Sequence, residues 1–204
     1  MDLLVFGASG RVGSRLCTYA ATDGHRVTAF VREGSSAPDD ARVVEGDVTD
    51  ARTVAETVDD QDAVCSALGP ETEADTSAFT AGTENISDGM EAAGVDRLVA
   101  VSAAAILQAT PGRLCLDMPE FPDQLRSVAT AHKTVYERLR DSALDWTLAC
   151  PAQMPDGAPT NYYRTAVDYL PEGGQSISSG DVAAFVYDTA VGDEYRRQRV
   201  GLAY

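Results

Sequence analysis

Leu3-Leu4-Val5-Phe6-Gly7-Ala8-Ser9-Gly10-Arg11-Val12-Gly13 is the stretch from which the architecture can be read. An apolar run of strand-forming residues leads straight into three glycines, each separated by two residues. Behind them Val12, Leu16, Tyr19 and Ala20 recur at helical spacing. The reading is a strand, a tight turn and a helix. Gly7 is expected to permit the turn, Gly10 to let a ligand approach the backbone, and Gly13 to let the helix pack closely on the strand. Free N–H groups and the positive end of such a helix hold an anion, here the pyrophosphate of a dinucleotide. A glycine triplet also serves as a plain connector. The strand before it and the helix after it favour the dinucleotide site.

The 204 residues and 44% hydrophobic content suit one α/β domain, 1–204, with a full core. No apolar run approaches the roughly 20 residues that span a bilayer. The first apolar run has no basic leader, so it reads as a strand and not a signal peptide. A cytoplasmic protein with no membrane partner is expected. Cys17, Cys65, Cys115 and Cys150 are far apart and form no metal-type pair, so no metal site is expected. Buried thiols in a reducing compartment are the simpler reading.

The net charge of −16 excludes a nucleic-acid backbone as a partner. The basic residues are fifteen arginines and a single lysine, Lys133. Acidic residues are spread along the chain, as in a halophilic cytoplasm where salt screens their repulsion. Melting temperature is therefore expected to rise with salt. Equal stability in dilute and multimolar salt would contradict this expectation.

Further along, strands are expected at His25–Val31, Arg42–Glu45, Asp62–Ala67, Arg97–Val101 and Asp145–Cys150. Helices are expected from Asp50 to about Val58, from about Thr76 to Ala93, up to Ser142, and from near Ser179. A loop from Gln108 to about Gln124, with three prolines, is long for a plain connection and is expected to shape a substrate site. The alternation gives an α/β, Rossmann-like three-layer sandwich with a mostly parallel sheet.

Strand two ends in Phe30-Val31-Arg32-Glu33. Arg32 stands where a guanidinium pairs with a 2′-phosphate, so NADP is expected over NAD. Asp47 and Val48 follow strand three, within reach of the adenine edge. Leu68 and Gly69 follow strand four, beneath the ribose. Ser102 closes strand five, near the nicotinamide. The tyrosine–lysine reductase pair, in which lysine one helical turn on lowers the phenol pKa, is absent. Tyr136 is followed four residues on by Arg140, and Tyr162 and Tyr163 by Ala166 and Val167. His132 is within reach of the cleft, with a structural role as the plainer reading. Lys133 is the candidate for the cofactor ribose or a phosphate.

With these residues in view, the chain resembles the atypical short-chain dehydrogenase/reductases with an NAD(P)H-binding domain. Within them it is similar to the group of biliverdin reductase B and the NADPH-dependent flavin reductases. Phe6–Gly13, Val31–Ser36, Val44–Val48, Gln61–Val64 with Leu68-Gly69, and Gly94–Ala100 carry the likeness. His132, Leu139–Ser142, Pro151 and Ser178–Phe185 extend it. The resemblance implies NADPH bound by Gly7, Ser9, Gly10, Arg11, Val12, Gly13, Arg32, Asp47, Val48, Leu68 and Gly69. It also implies a monomer, with a dimer as the alternative, and an open pocket over the nicotinamide. Flavins, and linear tetrapyrroles, would be the acceptors. That group carries a second histidine where this chain has Gln153, and its serine after strand five is shifted in Val101-Ser102-Ala103-Ala104-Ala105. His132, Ser102 and Gln153 are then expected to orient a small planar acceptor such as a flavin. A non-enzymatic NADP-sensing protein of the same fold is the alternative.

Overall fold

The computed structural model describes residues 1–36, 38–70 and 75–204. In chain order the elements are β1 (Asp2–Phe6), α1 (Gly13–Thr22), β2 (Arg26–Val31), β3 (Arg42–Glu45), α2 (Ala51–Val58) and β4 (Ala63–Ser66). Then come α3 (Ser77–Ala93), β5 (Arg97–Val101), β6 (Gln108–Thr110), β7 (Arg113–Leu114) and α4 (Arg126–Asp141). The chain ends with β8 (Asp145–Pro151), β9 (Arg164–Val167), α5 (Ser179–Val191) and β10 (Gln198–Ala203).

The main sheet runs β3-β2-β1-β4-β5-β8-β10-β9 and is parallel except for β9, which pairs antiparallel with β10. Its inner strands bury both faces, and period-two alternation sorts their side chains. Leu3 and Val5 of β1 join a core with α1 and α5, whereas Leu4 and Phe6 join a core with α2, α3 and α4. The expected three-layer sandwich is thus present. Asp50 caps α2 through the N–H groups of Arg52 and Thr53, as its position suggested.

Two strands of the main sheet, β9 and β10, lie outside the strands expected from the sequence. Arg199 breaks the apolar pattern of β10, yet it is buried and its charge is satisfied. Its Nε donates to Asp168 at 2.8 Å, Nη1 donates to the Ile106 carbonyl at 2.5 Å, and the guanidinium stacks 4.4 Å from the Tyr136 ring. The edge strand β9 is too exposed and polar to show a core face. The proline-containing loop is also more ordered than a connection. β6 and β7 form a small hairpin, and Arg126 ties the rest by donating to the Leu116 and Phe121 carbonyls and to Asp123.

Candidate cofactor and acceptor site

β1 leads to β2 and β3 on one side, and the chain then returns to place β4 on the other. This reversal leaves a crevice at the carboxyl ends of β1 and β4, where open α/β sheets bind ligands. The glycine turn fills its floor. Gly7 has φ +72°, and a Cβ there would stand 2.9 Å from the Ala67 carbonyl oxygen at the end of β4. A Cβ on Gly13 would lie 2.2 Å from the Gly7 oxygen, so α1 begins against the turn with no room between. The N-terminus of α1 has no side-chain cap, because Val12 occupies the N-cap.

Gly13→Ala is therefore expected to lose roughly 3 kcal/mol through overpacking against backbone, together with cofactor binding. Urea unfolding checks it. A midpoint equal to wild type would contradict the close approach.

A cavity of about 480 Å³ opens above this turn. Gly7, Ser9, Gly10, Arg32, Asp47, Val48, Leu68 and Gly69 line it, as do Phe30, Val31, Gly46, Ala67, Asp75, Ala78 and Phe79. Arg32, Asp47, Val48, Leu68 and Gly69, singled out in the sequence as strand-end residues, thus line one cavity, whereas Ser102 does not. Asp47 accepts from the Thr49 N–H at 2.8 Å, and this bond holds its carboxyl below the usual carboxylate range. Val48 is fixed by Asn85, whose Nδ2 donates to its carbonyl at 3.0 Å, and by Gly82, where a Cβ would come within 2.6 Å of the valine methyl. The glycine cradle, the uncapped helix and the apolar walls of Phe30, Val48 and Leu68 fit a dinucleotide.

Ser102 and His132 lie outside this lining but next to it. Both are buried, and Ser102 Oγ lies 3.2 Å from His132 Nδ1. Phe79 lines the cavity on one side and packs on His132 on the other, with ring centroids 4.8 Å apart. Burial pushes the His132 pKa down from 6.5 to about 4. The imidazole is therefore neutral at physiological pH, and not titrating near its ordinary value. It can exchange hydrogen bonds through one N–H and one bare nitrogen, but it is not an imidazolium acid.

The remaining candidates are placed differently. Arg11 is exposed, and its Nη1 lies 3.5 Å from the Met154 carbonyl. Val12 is buried in the core. Lys133 is half-buried on α4, one residue past His132 and outside the cavity lining. Gln153 is exposed just after β8, and its backbone bridges Ser176. Sequence reasoning missed Phe30 and Phe79, which read as ordinary core residues of a strand and a helix. It also missed Asp75, and Gly82, whose packing partner Val48 lies far off in sequence.

The segment after β8 is held by Asp181, which is fully buried at the start of α5. Its carboxylate accepts from the N–H groups of Thr160 and Asn161, both at 2.8 Å, and from the Tyr204 hydroxyl at 2.7 Å. Burial raises its pKa, but bonds from Tyr204, Thr160, Asn161 and Ser178 outweigh that and hold it below the ordinary value.

The fold and this crevice define a Rossmann-type dinucleotide-binding protein. The chain belongs to the NAD(P)H-binding family, which it matches over residues 7–191. It is 30% identical to YwnB, an uncharacterized protein of Bacillus subtilis strain 168, over 98% of this chain and 96% of that one. A structure of a Burkholderia pseudomallei protein, provisionally called an exported protein, superposes with TM-score 0.86 at 36% identity and full coverage of both chains. A Streptococcus pneumoniae TIGR4 protein, provisionally called an NADH-flavin reductase, gives TM-score 0.85 at 27% identity, covering 100% of this chain and 99% of that one. The kinship is with flavin/NADH-reductase-like proteins of this family and does not single out biliverdin reductase B. Among the described residues no helix is long and apolar enough to cross a membrane.

Proposed function

We propose that this protein is an NADPH-dependent reductase that passes a hydride to a flavin or a similar planar acceptor. The observation that carries the reading is the shared wall of Phe79. It joins a dinucleotide-shaped cavity to a buried, uncharged Ser102–His132 pair at the end of β5.

NADPH, when bound, supplies a hydride from C4 of its nicotinamide. The glycine turn and the start of α1 hold the diphosphate. Arg32 pairs with the 2′-phosphate, which selects NADP over NAD. Asp47 and Val48 take the adenine edge, Leu68 and Gly69 support the ribose, and Lys133 reaches a ribose or phosphate oxygen. Ser102, His132 and Gln153 orient the acceptor. Reduction at flavin N5 by that hydride would require one further proton, which water would provide, so no side chain need be an acid. A tetrapyrrole acceptor has less support, because Gln153 stands where the biliverdin reductase B group carries a histidine. The four free thiols, three of them buried, favour a cytoplasmic protein. A monomer is the simplest assembly, a dimer the alternative.

One observation favours a second reading, a non-enzymatic NADP sensor. The single lysine, Lys133, is preceded four residues earlier by Ala129 and not by a tyrosine, so the tyrosine–lysine pair of reductases is absent. Steady-state NADPH oxidation with FMN, FAD, riboflavin and small quinones separates the two. Turnover with at least one acceptor is expected. Tight NADPH binding with no turnover above background would favour the sensor.

A further inference from the structure

Arg15 and Asp156 stand outside the candidate cofactor and acceptor residues, yet they join the two halves of the site. Arg15 is the third residue of α1. Its Nη1 donates to the Arg11 carbonyl in the glycine turn at 2.6 Å, and its Nη2 pairs with Asp156 at 3.2 Å. The same Asp156 oxygen accepts from the Ser179 hydroxyl at 2.7 Å, at the first residue of α5. Around this point the loop after β8 satisfies the first two N–H groups of α5, which have no partner within the helix. Ser179 N–H donates to the Pro155 carbonyl and Gly180 N–H to the Gly157 carbonyl, both at 3.0 Å. A Cβ on Gly180 would stand 2.4 Å from the Pro159 nitrogen, so the fit is tight.

The loop that carries Gln153 is therefore bolted to α5 by backbone bonds and to the phosphate turn chiefly by the Arg15 fork, beside the longer 3.5 Å contact of Arg11 with the Met154 carbonyl. We infer that Arg15 and Asp156 are a positioning pair that transmits occupancy of the glycine turn to the acceptor wall at Gln153. Order imposed on the turn by a diphosphate passes from the Arg11 carbonyl through the Arg15 fork to Asp156 and the loop. The acceptor half of this inference rests on the reductase reading.

Amide hydrogen exchange, followed by NMR in the full chain with and without saturating NADPH, tests it. In wild type, NADPH is expected to slow exchange at Gln153, Gly157, Ser179 and Gly180 by about fivefold or more. In Arg15→Gln and in Asp156→Asn that slowing is expected to vanish, while slowing at Ser9 and Gly10 reports that cofactor still binds. Loop slowing retained in both variants, or none in wild type despite bound NADPH, would overturn the inference. Where the protein turns over, both variants should raise the acceptor KM several-fold at unchanged kcat, and an unchanged KM would remove the positioning role. A protein that binds NADPH but reduces nothing defeats the reductase reading alone, because the exchange experiment needs no turnover.

Discussion

Acidification from neutral to about pH 4 is expected to cost the folded protein about 3 kcal/mol through His132 alone. Burial depresses its folded pKa from 6.5 to about 4. Between those values the unfolded chain takes up a proton that the native chain does not. The contribution is therefore fully present above the unfolded pKa of 6.5 and is lost as pH falls through the folded pKa of about 4. His132→Gln keeps a polar group beside Ser102 but does not titrate. Denaturant unfolding of both proteins from pH 7 downwards isolates the difference, because the carboxylates are common to both. The variant should start less stable and lose less, by about 3 kcal/mol. Parallel stability curves would contradict the burial of a neutral imidazole. Turnover should also show no inflection between pH 5.5 and 8, since no ionisation of His132 falls there. A turnover that titrates in that range in wild type and not in His132→Ala, with cofactor affinity unchanged, would make the histidine a proton donor.

Arg32→Ala is expected to raise the NADPH dissociation constant about ten- to a hundredfold and leave that of NADH nearly unchanged. One charge-assisted pair to the 2′-phosphate is worth roughly 1.5–3 kcal/mol. Arg32 is exposed and lines the cavity directly after β2, where the 2′-phosphate of a bound dinucleotide would fall. Titration of both cofactors against both proteins checks it. Equal losses for NADPH and NADH would remove Arg32 from the 2′-phosphate role.

Much of this was legible in the chain because the signals were local. The Phe6–Gly13 run announced a strand, a turn and a helix, and Gly7 and Gly13 sit where only a bare backbone fits. Arg32, Asp47, Val48, Leu68 and Gly69 each follow a strand end, so a parallel sheet brings them to one cavity without any long-range information. What was not legible depends on tertiary partners. Arg199 reads as a surface residue until Asp168, Ile106 and Tyr136 are seen to enclose it. The protonation state of His132 follows from its burial behind Phe79, which no spacing encodes. The bond from Arg15 to Asp156 joins residues 141 positions apart and leaves no pattern in either segment.

Anaerobic single-turnover mixing of NADPH-loaded protein with riboflavin is the sharpest measurement of the proposed hydride transfer. The nicotinamide and flavin absorbances are expected to fall together, in equal molar amounts, at a rate that depends on protein and slows with NADPH deuterated at C4. Full binding of NADPH followed by no loss of either absorbance, with riboflavin and with a small quinone alike, would contradict a reductase and leave the cavity as a site that only reads the cofactor.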